Sequence, residues 1–357
     1  MPPSRRTTAP PGADRPLRIV QVVRSDAFAG VERYMCQVAD LLASRGHQVV
    51  VVGGDPERMR VELGKRVEHV PASSVGQAVR ALLGRRDADI VHAHMTAAET
   101  AAWLAHPVQR APIVATRHFA SDRGSSAPAR MLSRLVSRSI SSDIAISRFV
   151  ADSIAGPSVL LYSGVPDREQ SPLDAPTVVM LQRLTTEKAP SVGVLAWSES
   201  GLASMGWRLV LAGGGGLHDE LVAQARRLGV SESVDFVGLV ADTDRLLDRS
   251  SIVLAPAPGE PFGLSVVEAM AHGVPVVAAA GGAHLETVGD DGLLFPPGDA
   301  SSAARALVEL ATDRGHRLEV GAALRRRQRR LFSLIDHVDS LEQLYRDQAA
   351  GVGAPPA

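Results

Sequence analysis

The residues best suited to chemistry are two glutamates in the segment APGEPFGLSVVEAMAHGVPVVAAAGG, residues 257–282. Glu260 lies in a loop rich in proline and glycine, and Glu268 lies about one turn inside a helix predicted for 264–272. Gly263 stands directly before that helix, whose first N–H groups and positive dipole end favour a bound phosphate. A carboxylate accepts two hydroxyl hydrogen bonds at once, so the two glutamates suit sugar hydroxyls.

A cationic loop precedes this segment. The sequence MLQRLTTEKAP, residues 180–190, follows a predicted strand and carries Arg183 and Lys188. Two cations beside a helix N terminus suit a diphosphate leaving group, because they offset the negative charge that develops as its bond breaks. Lys65 and Lys188 are the only lysines among 38 Lys and Arg residues, and the compact charge of a lysine suits a phosphate oxygen. A glycine loop, LAGGGG at 211–216, follows another predicted strand and allows close approach of a ligand to the backbone.

These loops need a scaffold, and short Val- and Ile-rich runs alternate with helical patterns along almost the whole chain. The alternation predicts an α/β fold with parallel sheets covered by helices on both faces. A segment rich in proline and charge, DREQSPLDAP at 167–176, is interpreted as a linker between two halves of similar size. The predicted strands are 18–23, 48–53, 90–94, 113–116, 144–146, 159–162, 177–181, 208–213, 234–238, 252–255 and 274–278, and helices are predicted at 31–45, 76–84, 127–139, 216–228, 241–248 and 264–272.

Each half is therefore predicted to be a doubly wound, Rossmann-like domain with its ligand site at the carboxyl ends of the strands, and the cleft between the domains is the expected site. The predicted limits are 17–166 for the N-terminal domain and 177–330 for the C-terminal domain. A last helical stretch covers 301–348, and its end, 331–348, is expected to pack back across the first domain. The first sixteen residues, MPPSRRTTAPPGADRP, are interpreted as a disordered leader.

Composition excludes several classes of protein. The chain has 357 residues, of which 45% are apolar, so it is not globally disordered. Its net charge, 38 − 39 = −1, gives no electrostatic case for a nucleic-acid partner. Cys36 is the single cysteine, which excludes an intrachain disulfide, a cysteine zinc site and an iron–sulfur cluster. The sequence lacks a signal-peptide pattern and a run of about 18 apolar residues, so a cytoplasmic protein is expected.

Taken together, these motifs resemble glycosyltransferase family 4, a group of retaining enzymes with the GT-B fold. The most specific part of the resemblance is the pair Glu260-x7-Glu268 with FGLSVVEAMAHGVPVV, and the resemblance covers nearly the whole chain after the leader. The other segments that resemble family landmarks are DAFAGVERY, DIVHAH, ATRHF, AISRFV, QRLTTEKAP, VDFVGLV, GLLFPPGD and LFSL.

The resemblance implies a role for each matching residue. Arg183 and Lys188 would bind the donor diphosphate, and Glu268 would bind the donor ribose hydroxyls. Glu260 would hold the transferred sugar and its phosphate together with neighbouring backbone amides, and His118 would face the sugar near the reacting carbon. Catalytic roles thus fall on His118, Arg183, Lys188 and Glu260. The further donor-site residues that the resemblance implies are Gly30, Gly214, Val240, Phe262, Gly263 and Leu264.

The chain departs from the family pattern at three places. In the segment 162–165, Ser163 stands where the family commonly has asparagine. Ala29–Gly30 stands where the family usually has two glycines, which questions close backbone approach at residue 29. After Gly281–Gly282, the sequence AHLETV carries one more residue before its glutamate. The role of Glu286 is therefore left open, and a distinctive sugar pocket that includes His284 is indicated.

The implied reaction is retaining transfer of a sugar from a nucleotide-diphosphate donor, expected to be a UDP- or GDP-sugar, to a hydroxyl of a glycan, lipid or small natural product. Both glutamates have binding roles and no other carboxylate suits a nucleophile, so front-face attack is expected, in which the departing phosphate takes the acceptor proton. Neither a cofactor nor a catalytic metal is expected. Two alternatives stay open: a nucleotide-sugar epimerase or hydrolase of the same fold, and a non-catalytic, two-lobed sugar-binding protein.

Two other patterns could suggest a metal. His92 and His94 form an HxH pair, but no third ligand lies nearby in sequence, so a structural or cleft-lining role is favoured. Two Asp-x-Asp matches, at 87–89 and 242–244, have structural explanations, since the first precedes a strand and the second opens a helix, where Asp is a natural N-cap.

Two arginine-rich segments remain. One follows a predicted helix face, and the other contains five arginines within 325–330. Solvated faces are the favoured interpretation, and the alternative is an anionic partner, either a membrane surface with weak peripheral contact or a phosphorylated acceptor. The residues of the first segment are Arg130, Arg134 and Arg138, with Met131, Leu132, Leu135 and Val136 on the same helix.

Overall fold

The chain forms two α/β domains, and the computed structural model describes residues 15–120 and 127–351. The predicted leader, 1–16, lies outside the described residues except for Arg15 and Pro16. Among the described helices, none combines the length and the apolar character needed to cross a bilayer.

The elements of the first domain are strands β1 (Arg18–Val23), β2 (Gln48–Val52), β3 (Glu68–Val70), β4 (Ile90–His94), β5 (Ile113–Arg117), β6 (Ile140–Ala145) and β7 (Val159–Leu160), and helices α1 (Gly30–Ser44), α2 (Pro56–Glu62), α3 (Val75–Leu83), α4 (Thr96–Gln109), α5 (Ala127–Ser137) and α6 (Arg148–Ser153). The elements that follow are strands β8 (Thr177–Leu181), β9 (Arg208–Ala212), β10 (Val234–Gly238), β11 (Ile252–Ala255), β12 (Val276–Ala279) and β13 (Leu293–Phe295), and helices α7 (Pro190–Ser200), α8 (His218–Arg227), α9 (Thr243–Asp248), α10 (Leu264–Ala271), α11 (His284–Thr287), α12 (Ala300–Thr312), α13 (Arg314–Leu331) and α14 (Leu334–Ala349).

The strands form two parallel sheets. Within the described residues, the first sheet has the order β3-β2-β1-β4-β5-β6-β7 and the second has the order β10-β9-β8-β11-β12-β13. If β8 is counted as the first strand of its sheet, both sheets contain the order 3-2-1-4-5-6 of the dinucleotide-binding Rossmann fold. The central strands β4 and β11 are buried along their whole length, because helices cover both faces of each sheet. The predicted fold class, with two doubly wound domains, is confirmed.

The strand order reverses at one point in each sheet, and these switch points position the site. Strand β1 lies between β2 and β4, and strand β8 lies between β9 and β11. Ligands of such sheets bind outside the carboxyl ends of the strands at the switch point. In the second domain those ends lead into the loops 182–189 and 256–263, which contain the predicted cationic residues and Glu260.

Some predicted boundaries are wrong for local reasons. Strand β12 begins at Val276 rather than at 274, because Pro275 has no N–H to donate and the N–H of Val274 bonds to the carbonyl of Ala269 at the end of α10 (2.9 Å). Strand β6 begins at Ile140, before the predicted 144–146. The prediction missed this start because residues 141–143 are polar and do not fit the hydrophobic pattern of a buried strand.

The predicted helical stretch 301–348 is three helices. Asp313 accepts a hydrogen bond from the N–H of His316 and begins α13, and the Ser333 hydroxyl accepts one from the N–H of Asp336 and begins α14. An N-cap residue therefore stands at each break, where one helix ends and the next begins.

Helix α14 returns to the first domain, as the fold prediction has it. Val338, Leu341 and Tyr345 are fully buried in the core of that domain, beside residues of α1 and β1. At the crossing point, Gly164 comes close to the start of α14, since a Cβ at this position would lie 2.6 Å from the Cα of Leu334. The glycine is thus needed for the close approach of the segment at 164 to the start of α14.

The predicted linker at 167–176 has no helix or strand, but it is attached to the second domain. The N–H of Ser171 donates to the carbonyl of His272 (2.8 Å), and Leu173 is buried in the core of the second domain.

Candidate active site

The turn between β11 and α10 is held in one conformation. Gly263 is the N-cap of α10 and has a φ of 87°, in the left-handed region that favours glycine. The N–H of Ala283 donates to the carbonyl of Glu260 (2.7 Å), which ties this turn to the loop after β12. No side chain caps α10, and its first residue, Leu264, also packs against the core of the first domain. The N–H groups at the start of α10 therefore lie at the interface between the domains, where an anion can accept hydrogen bonds from them.

Lys188 and Glu260 come from different loops and meet beside this helix. The Nζ of Lys188 lies 2.5 Å from Oε2 of Glu260, and the two side chains are only 16% and 13% exposed. Lys188 ends a short 3-10 helix, Thr186–Lys188, and its carbonyl accepts a hydrogen bond from the side chain of Gln182 (3.0 Å). Two of the predicted site residues are thus brought together as a largely buried ion pair.

Arg183 belongs to the same loop but has a different partner. Its Nη2 lies 3.0 Å from Oε1 of Glu187, and its side chain is half exposed. In the described contacts it therefore pairs within its own loop, the loop that carries Lys188, and not with Glu260.

Glu268 faces the first domain. Burial raises the pKa of its carboxyl above the usual range, and the positive charge of Arg33 opposes this rise. Arg33 reaches across from α1: its Nη1 lies 4.0 Å from Oε1 of Glu268 and also donates to the hydroxyl of Thr243. Sequence reasoning missed Arg33, although it lies within the quoted motif DAFAGVERY, in the first turn of α1.

The start of α1 brings the first domain against α10. A Cβ on Gly30 would lie 3.4 Å from Cδ1 of Leu264, so the glycine leaves room for the two helix starts to approach each other. Ala29 has a φ of −137°, an extended conformation that alanine adopts without strain, and its N–H donates to the carboxylate of Glu32 (3.0 Å). The departure from the double glycine is therefore accommodated by the backbone at residue 29.

Gly214 and Val240 lie on adjacent loops of the second sheet. The carbonyl of Gly214 accepts a hydrogen bond from the N–H of Leu184 (2.9 Å), which joins the glycine loop to the loop of Lys188. Val240 is half-buried and packs against the core of the second domain. Leu239, which the sequence did not single out, is exposed, and a Cβ on Gly214 would lie 3.7 Å from its Cγ. An apolar surface thus borders the glycine loop.

Phe262 is the anchor of the Glu260 loop. It is fully buried and belongs to the core of the second domain, with its ring 5.7 Å from the ring of Phe332 and 6.3 Å from that of Tyr162. Its side chain holds the loop in place, so only its backbone N–H is available to a ligand.

His118 lies in a buried group of polar rings at the carboxyl ends of β4 and β5. Its Nε2 is 3.1 Å from Nδ1 of His94. His92 is hydrogen-bonded through Nδ1 to the hydroxyl of Tyr345 (2.6 Å) and through Nε2 to the hydroxyl of Thr116 (2.7 Å). Because both of its nitrogens are satisfied in the core, His92 is a structural side chain, as the favoured interpretation of the HxH pair has it.

The returning helix completes this group of rings through His337. Its Nε2 lies 2.7 Å from the hydroxyl of Tyr34, and its Nδ1 donates to the carbonyl of Tyr162 (2.7 Å). Burial lowers the pKa of His118 to about 4, with a smaller contribution from the nearby His337, and burial lowers the pKa of His337 itself to about 4. Burial also lowers the pKa of His92 to about 3. These imidazoles are therefore neutral near pH 7.

Glu286, whose role was left open, joins the two domains. Its carboxylate accepts hydrogen bonds from the N–H groups of Arg148 (2.9 Å) and Phe149 (3.0 Å), the first two residues of α6. It also accepts one from the hydroxyl of Tyr162 (3.0 Å). A side chain of the second domain thus caps a helix of the first, and only the tertiary structure brings these residues together.

His284 is fully buried beside Gly263. Its Nδ1 donates to the carbonyl of Ala279 (3.1 Å), and its Nε2 has no hydrogen-bond partner among the described residues. A Cβ on Gly263 would lie 3.5 Å from that Nε2. His284 therefore packs behind the turn that begins α10, and a role for it in a sugar pocket stays a prediction.

The two Asp-x-Asp segments are engaged in structural contacts. Asp89 pairs with Arg15 (2.6 Å) and accepts the N–H of Arg18 (2.8 Å). Asp242 caps α9 by accepting the N–H of Arg245 (2.9 Å), as predicted. Within the described ranges, no three side chains of His, Cys, Asp or Glu are grouped as metal ligands.

The segment 325–330 is not simply a solvated face, which corrects the favoured interpretation. Arg325 donates to the carbonyls of Ala271 (3.1 Å) and Arg168, and Arg327 donates to those of Glu286 (2.8 Å) and Thr287 (2.9 Å). Arg325 and Arg327 thus bind backbone carbonyl groups, whereas Arg326, Arg329 and Arg330 are exposed, and Arg329 pairs with the carboxylate of Asp167 (2.8 Å). Arg134 on α5 and Arg138, which directly follows α5, are exposed, as expected, and the side chain of Arg130 lies outside the part of the chain that the structure describes.

A cavity of about 300 Å³ opens between the domains beside Glu268. The first domain contributes residues of α1, among them Arg33 and Gln37, and the second contributes the start of α9 and one face of α10. The carboxylate of Glu268 is thus reached from a polar space between the domains.

Comparison with known proteins identifies the family. The profile of Glycosyltransferase Family 4 matches residues 28–165, and that of Glycosyl transferases group 1 matches residues 175–313. Over 340 residues the chain is 30% identical to the phosphatidyl-myo-inositol mannosyltransferase of Propionibacterium freudenreichii, with 83% of this chain and 86% of that protein covered. The chain belongs to glycosyltransferase family 4.

Two further similarities concern one part of the chain and its overall fold. Over 150 residues the chain is 35% identical to the exopolysaccharide phosphotransferase SCO2592 of Streptomyces coelicolor, which covers 41% of this chain but only 16% of that protein. The solved structure of Anabaena Alr3699/HepE in complex with UDP and glucose has a TM-score of 0.80 at 21% identity and covers 92% of this chain and 99% of its own. That similarity confirms the GT-B fold of this member of family 4.

Proposed function

We propose that this glycosyltransferase moves a sugar from a nucleoside-diphosphate sugar to an acceptor hydroxyl with retention of configuration. The observation that carries the proposal is the buried pair of Lys188 and Glu260 beside the uncapped N terminus of α10. A cation, a carboxylate and free N–H groups converge there, and a sugar diphosphate presents complementary groups to all three.

The diphosphate would lie between Lys188 and the start of α10. Its negative charge would replace Glu260 as the partner of the lysine, and the N–H groups at 262–264 would donate to its oxygens. Arg183 would join them from the mouth of the cleft. Negative charge grows on the leaving diphosphate in the transition state. The cations and N–H groups would therefore stabilise the transition state more than they stabilise the bound nucleotide sugar.

The hydroxyl groups of the donor would bind the two glutamates. Glu260, released from Lys188, would accept hydrogen bonds from the transferred sugar. Glu268, which borders the cavity between the domains, would accept them from the ribose. Since the raised pKa of Glu268 reflects burial, ribose hydroxyls that donate to it would also stabilise its charge.

Front-face attack is the mechanism that fits these side chains. The acceptor oxygen forms a bond to the anomeric carbon on the side from which the diphosphate departs, and the acceptor proton passes to a leaving phosphate oxygen. Neither glutamate is free to act as a nucleophile, since both bind hydroxyls. His118, neutral near pH 7, would hydrogen-bond the sugar and carry no charge of its own into the step.

The base of the donor is proposed to be uracil or guanine. The Anabaena structure with a similar fold holds UDP and glucose, and a relative of high coverage is named as a mannosyltransferase that acts on a phosphatidyl-inositol. A lipid or glycan hydroxyl is accordingly the acceptor class to test first. A thermal-shift screen of UDP-, GDP-, ADP- and dTDP-sugars identifies the donor as the one that raises the melting temperature.

The two lysines of the chain allow a matched test of the site. Lys188→Ala is expected to lower kcat/KM by about two orders of magnitude or more, because it removes the buried cation that stabilises the leaving group. Lys65→Ala, which removes an exposed lysine of the first domain, is expected to leave turnover unchanged. Circular dichroism checks that both variants fold, and near-normal turnover by Lys188→Ala contradicts the assignment.

The same assay separates the alternatives. Incubated with donor alone, a transferase releases almost no free sugar and forms no epimer, whereas a hydrolase or an epimerase consumes the donor. Binding of every donor without turnover of any of them indicates a sugar-binding protein.

We also propose that transfer needs no divalent metal. Both Asp-x-Asp segments are committed to structural contacts, with Asp89 bound to arginine and Asp242 to the start of α9. Activity is therefore expected to persist in excess EDTA. Loss of activity that added Mg²⁺ or Mn²⁺ restores contradicts the proposal.

A further inference from the structure

Helix α5 presents large apolar side chains to solvent. Met131 is 70% exposed and Leu135 is 42% exposed, and Leu132 beside them is also exposed. The face of this helix that packs on the first domain contains Ser133 and Val136 instead, both buried. The usual arrangement of an amphipathic helix on a soluble domain is thus partly reversed, and a group of exposed apolar side chains on one element marks an interaction surface.

Arginines accompany these apolar side chains. Arg134 and Arg138 are exposed and follow Met131 and Leu135 by three residues. Arg134 therefore lies on the same side of α5 as Met131, and Arg138 lies in the turn that directly follows the helix. The sequence from 131 to 142 contains no Asp or Glu, so neither arginine has an acidic neighbour along the chain there. We refer to Met131, Leu132, Arg134, Leu135 and Arg138 as the α5 face.

The neighbouring helix extends this surface. Helix α4 packs beside α5 and exposes Leu104 and Val108, followed by the exposed Arg110. The residues 104–110 also contain no Asp or Glu. The surface formed by α4 and α5 therefore combines apolar side chains with positive charge, and both properties are complementary to a layer of anionic lipid.

The segment between β5 and α5 begins with a residue of the candidate active site. Strand β5 ends at Arg117, and the chain continues through His118 to Phe119, which is 41% exposed. Helix α5 is the next described element of the chain. The exposed Phe119 thus adds an apolar side chain directly after His118.

We propose that the α5 face docks on an anionic lipid bilayer and inserts Met131, Leu132 and Leu135 at the level of the headgroups. A helix that carries apolar residues and arginines on one exposed side, with no acidic residue between them, suits the bilayer interface. A soluble phosphorylated ligand would pair with the arginines alone and leaves the exposed apolar side chains unexplained.

The test is co-sedimentation of the full chain with vesicles in the absence of any donor, so that its outcome does not depend on the proposed reaction. At low salt, binding to phosphatidylcholine vesicles with roughly one-third phosphatidylglycerol is expected to be at least tenfold tighter than binding to phosphatidylcholine alone. Added salt is expected to weaken this binding, since it screens the arginines. No binding to the anionic vesicles at low salt overturns the proposal.

Paired variants assign the binding to the α5 face. Met131→Ser/Leu135→Ser and Arg134→Gln/Arg138→Gln are each expected to lower vesicle binding about tenfold or more. Arg226→Gln/Arg227→Gln, which removes the same charge from the exposed end of α8 in the second domain, is expected to bind like the unmodified chain. All of these side chains are exposed, and circular dichroism checks that each variant folds.

Two other outcomes contradict the proposal. If the arginine variant loses binding and the apolar variant does not, the surface recognises phosphate without insertion. If sedimentation velocity shows a dimer that Met131→Ser/Leu135→Ser converts to a monomer, the α5 face is an interface between two copies of the chain.

Discussion

At the scale of single residues, the site depends on charges that burial controls. Lys188 and Glu260 neutralise each other in a largely buried pair, so neither charge is left uncompensated before a ligand binds. The imidazole of His118 is kept neutral by the same low-dielectric surroundings. Burial thus holds Lys188 and Glu260 together as an ion pair and keeps the ring of His118 uncharged near pH 7.

The buried histidines predict a dependence of stability on pH. The pKa of His118 and of His337 is about 4 in the folded chain against 6.5 for the unperturbed side chain, so between these values only the unfolded chain binds their protons. The free energy of unfolding is therefore expected to fall as the pH is lowered from about 6.5 towards 4, by about 1.4 kcal/mol per pH unit for each such histidine. Urea unfolding at neutral pH and near pH 5 measures this slope.

A pair of variants isolates the contribution of His337. His337→Gln removes a buried imidazole, so its slope between these two pH values is expected to be smaller by about 1.4 kcal/mol per pH unit. His218→Gln, which removes an exposed imidazole on α8, is the matched control and is expected to keep the original slope. Equal slopes in the unmodified chain and in His337→Gln would show that His337 binds its proton equally in both states.

At the scale of elements, short contacts between loops and helix ends join the two domains around the site. Glu286 caps α6 from the second domain, and Ser147, the N-cap of α6, donates its hydroxyl to the carbonyl of Pro261 (2.6 Å). Arg33 makes a third contact from α1 to Thr243. Because Pro261 directly follows Glu260, the position of α6 is coupled to the loop that carries the predicted sugar-binding carboxylate.

Glu286→Ala is expected to lower kcat/KM by about tenfold or more without unfolding either domain. The change removes three hydrogen bonds by which the carboxylate of Glu286 joins the two domains. The arrangement in which the domains meet around the site therefore loses stability relative to arrangements in which the domains lie further apart. Steady-state kinetics measures the loss, and small-angle X-ray scattering is expected to show a larger radius of gyration. Asp290→Ala, which removes an exposed carboxylate from the next turn, is the control, and equal activity of the two variants contradicts the role of Glu286.

At the scale of the whole molecule, the chain crosses between the domains twice. It leaves the first domain after Val165 and returns with α14, and these crossings touch, since the N–H of Val165 donates to the carbonyl of Phe332 (3.0 Å). Helix α14 then fills the core of the first domain with Val338, Leu341 and Tyr345. The first domain therefore depends on residues at the far end of the sequence for its stability.

Leu341→Ala is expected to lower the free energy of unfolding by about 2–5 kcal/mol, because it leaves a cavity in the core of the first domain. Ile335→Ala, at an exposed position of the same helix, is expected to change it by less than about 0.5 kcal/mol. Chemical denaturation measures both values. Hydrogen exchange is expected to increase in β1 and α1 of Leu341→Ala, and an increase confined to the second domain contradicts the packing of α14.

Sequence patterns predicted those parts of the fold and the site that depend on neighbours along the chain. Runs of Val and Ile predicted the buried strands, and Gly263 before an apolar run predicted the start of α10, because strand burial and helix termini depend on residues that are close together in the sequence. The same local marks failed where two effects overlapped. The start of β6 is polar, and the breaks at Asp313 and Ser333 lie within a continuous helical pattern.

The sequence alone predicted the family, the fold class, the loops that carry Lys188 and Glu260, and the helix that carries Glu268. Each of these loops lies at the end of a strand whose burial the local pattern reveals. Only the tertiary structure decided which side chains meet across the cleft. Arg33 reaches Glu268 and Glu286 caps α6 over separations of more than a hundred residues. Such contacts depend on the relative placement of two sheets and of α14, and that placement results from the packing of the whole molecule rather than from any local pattern.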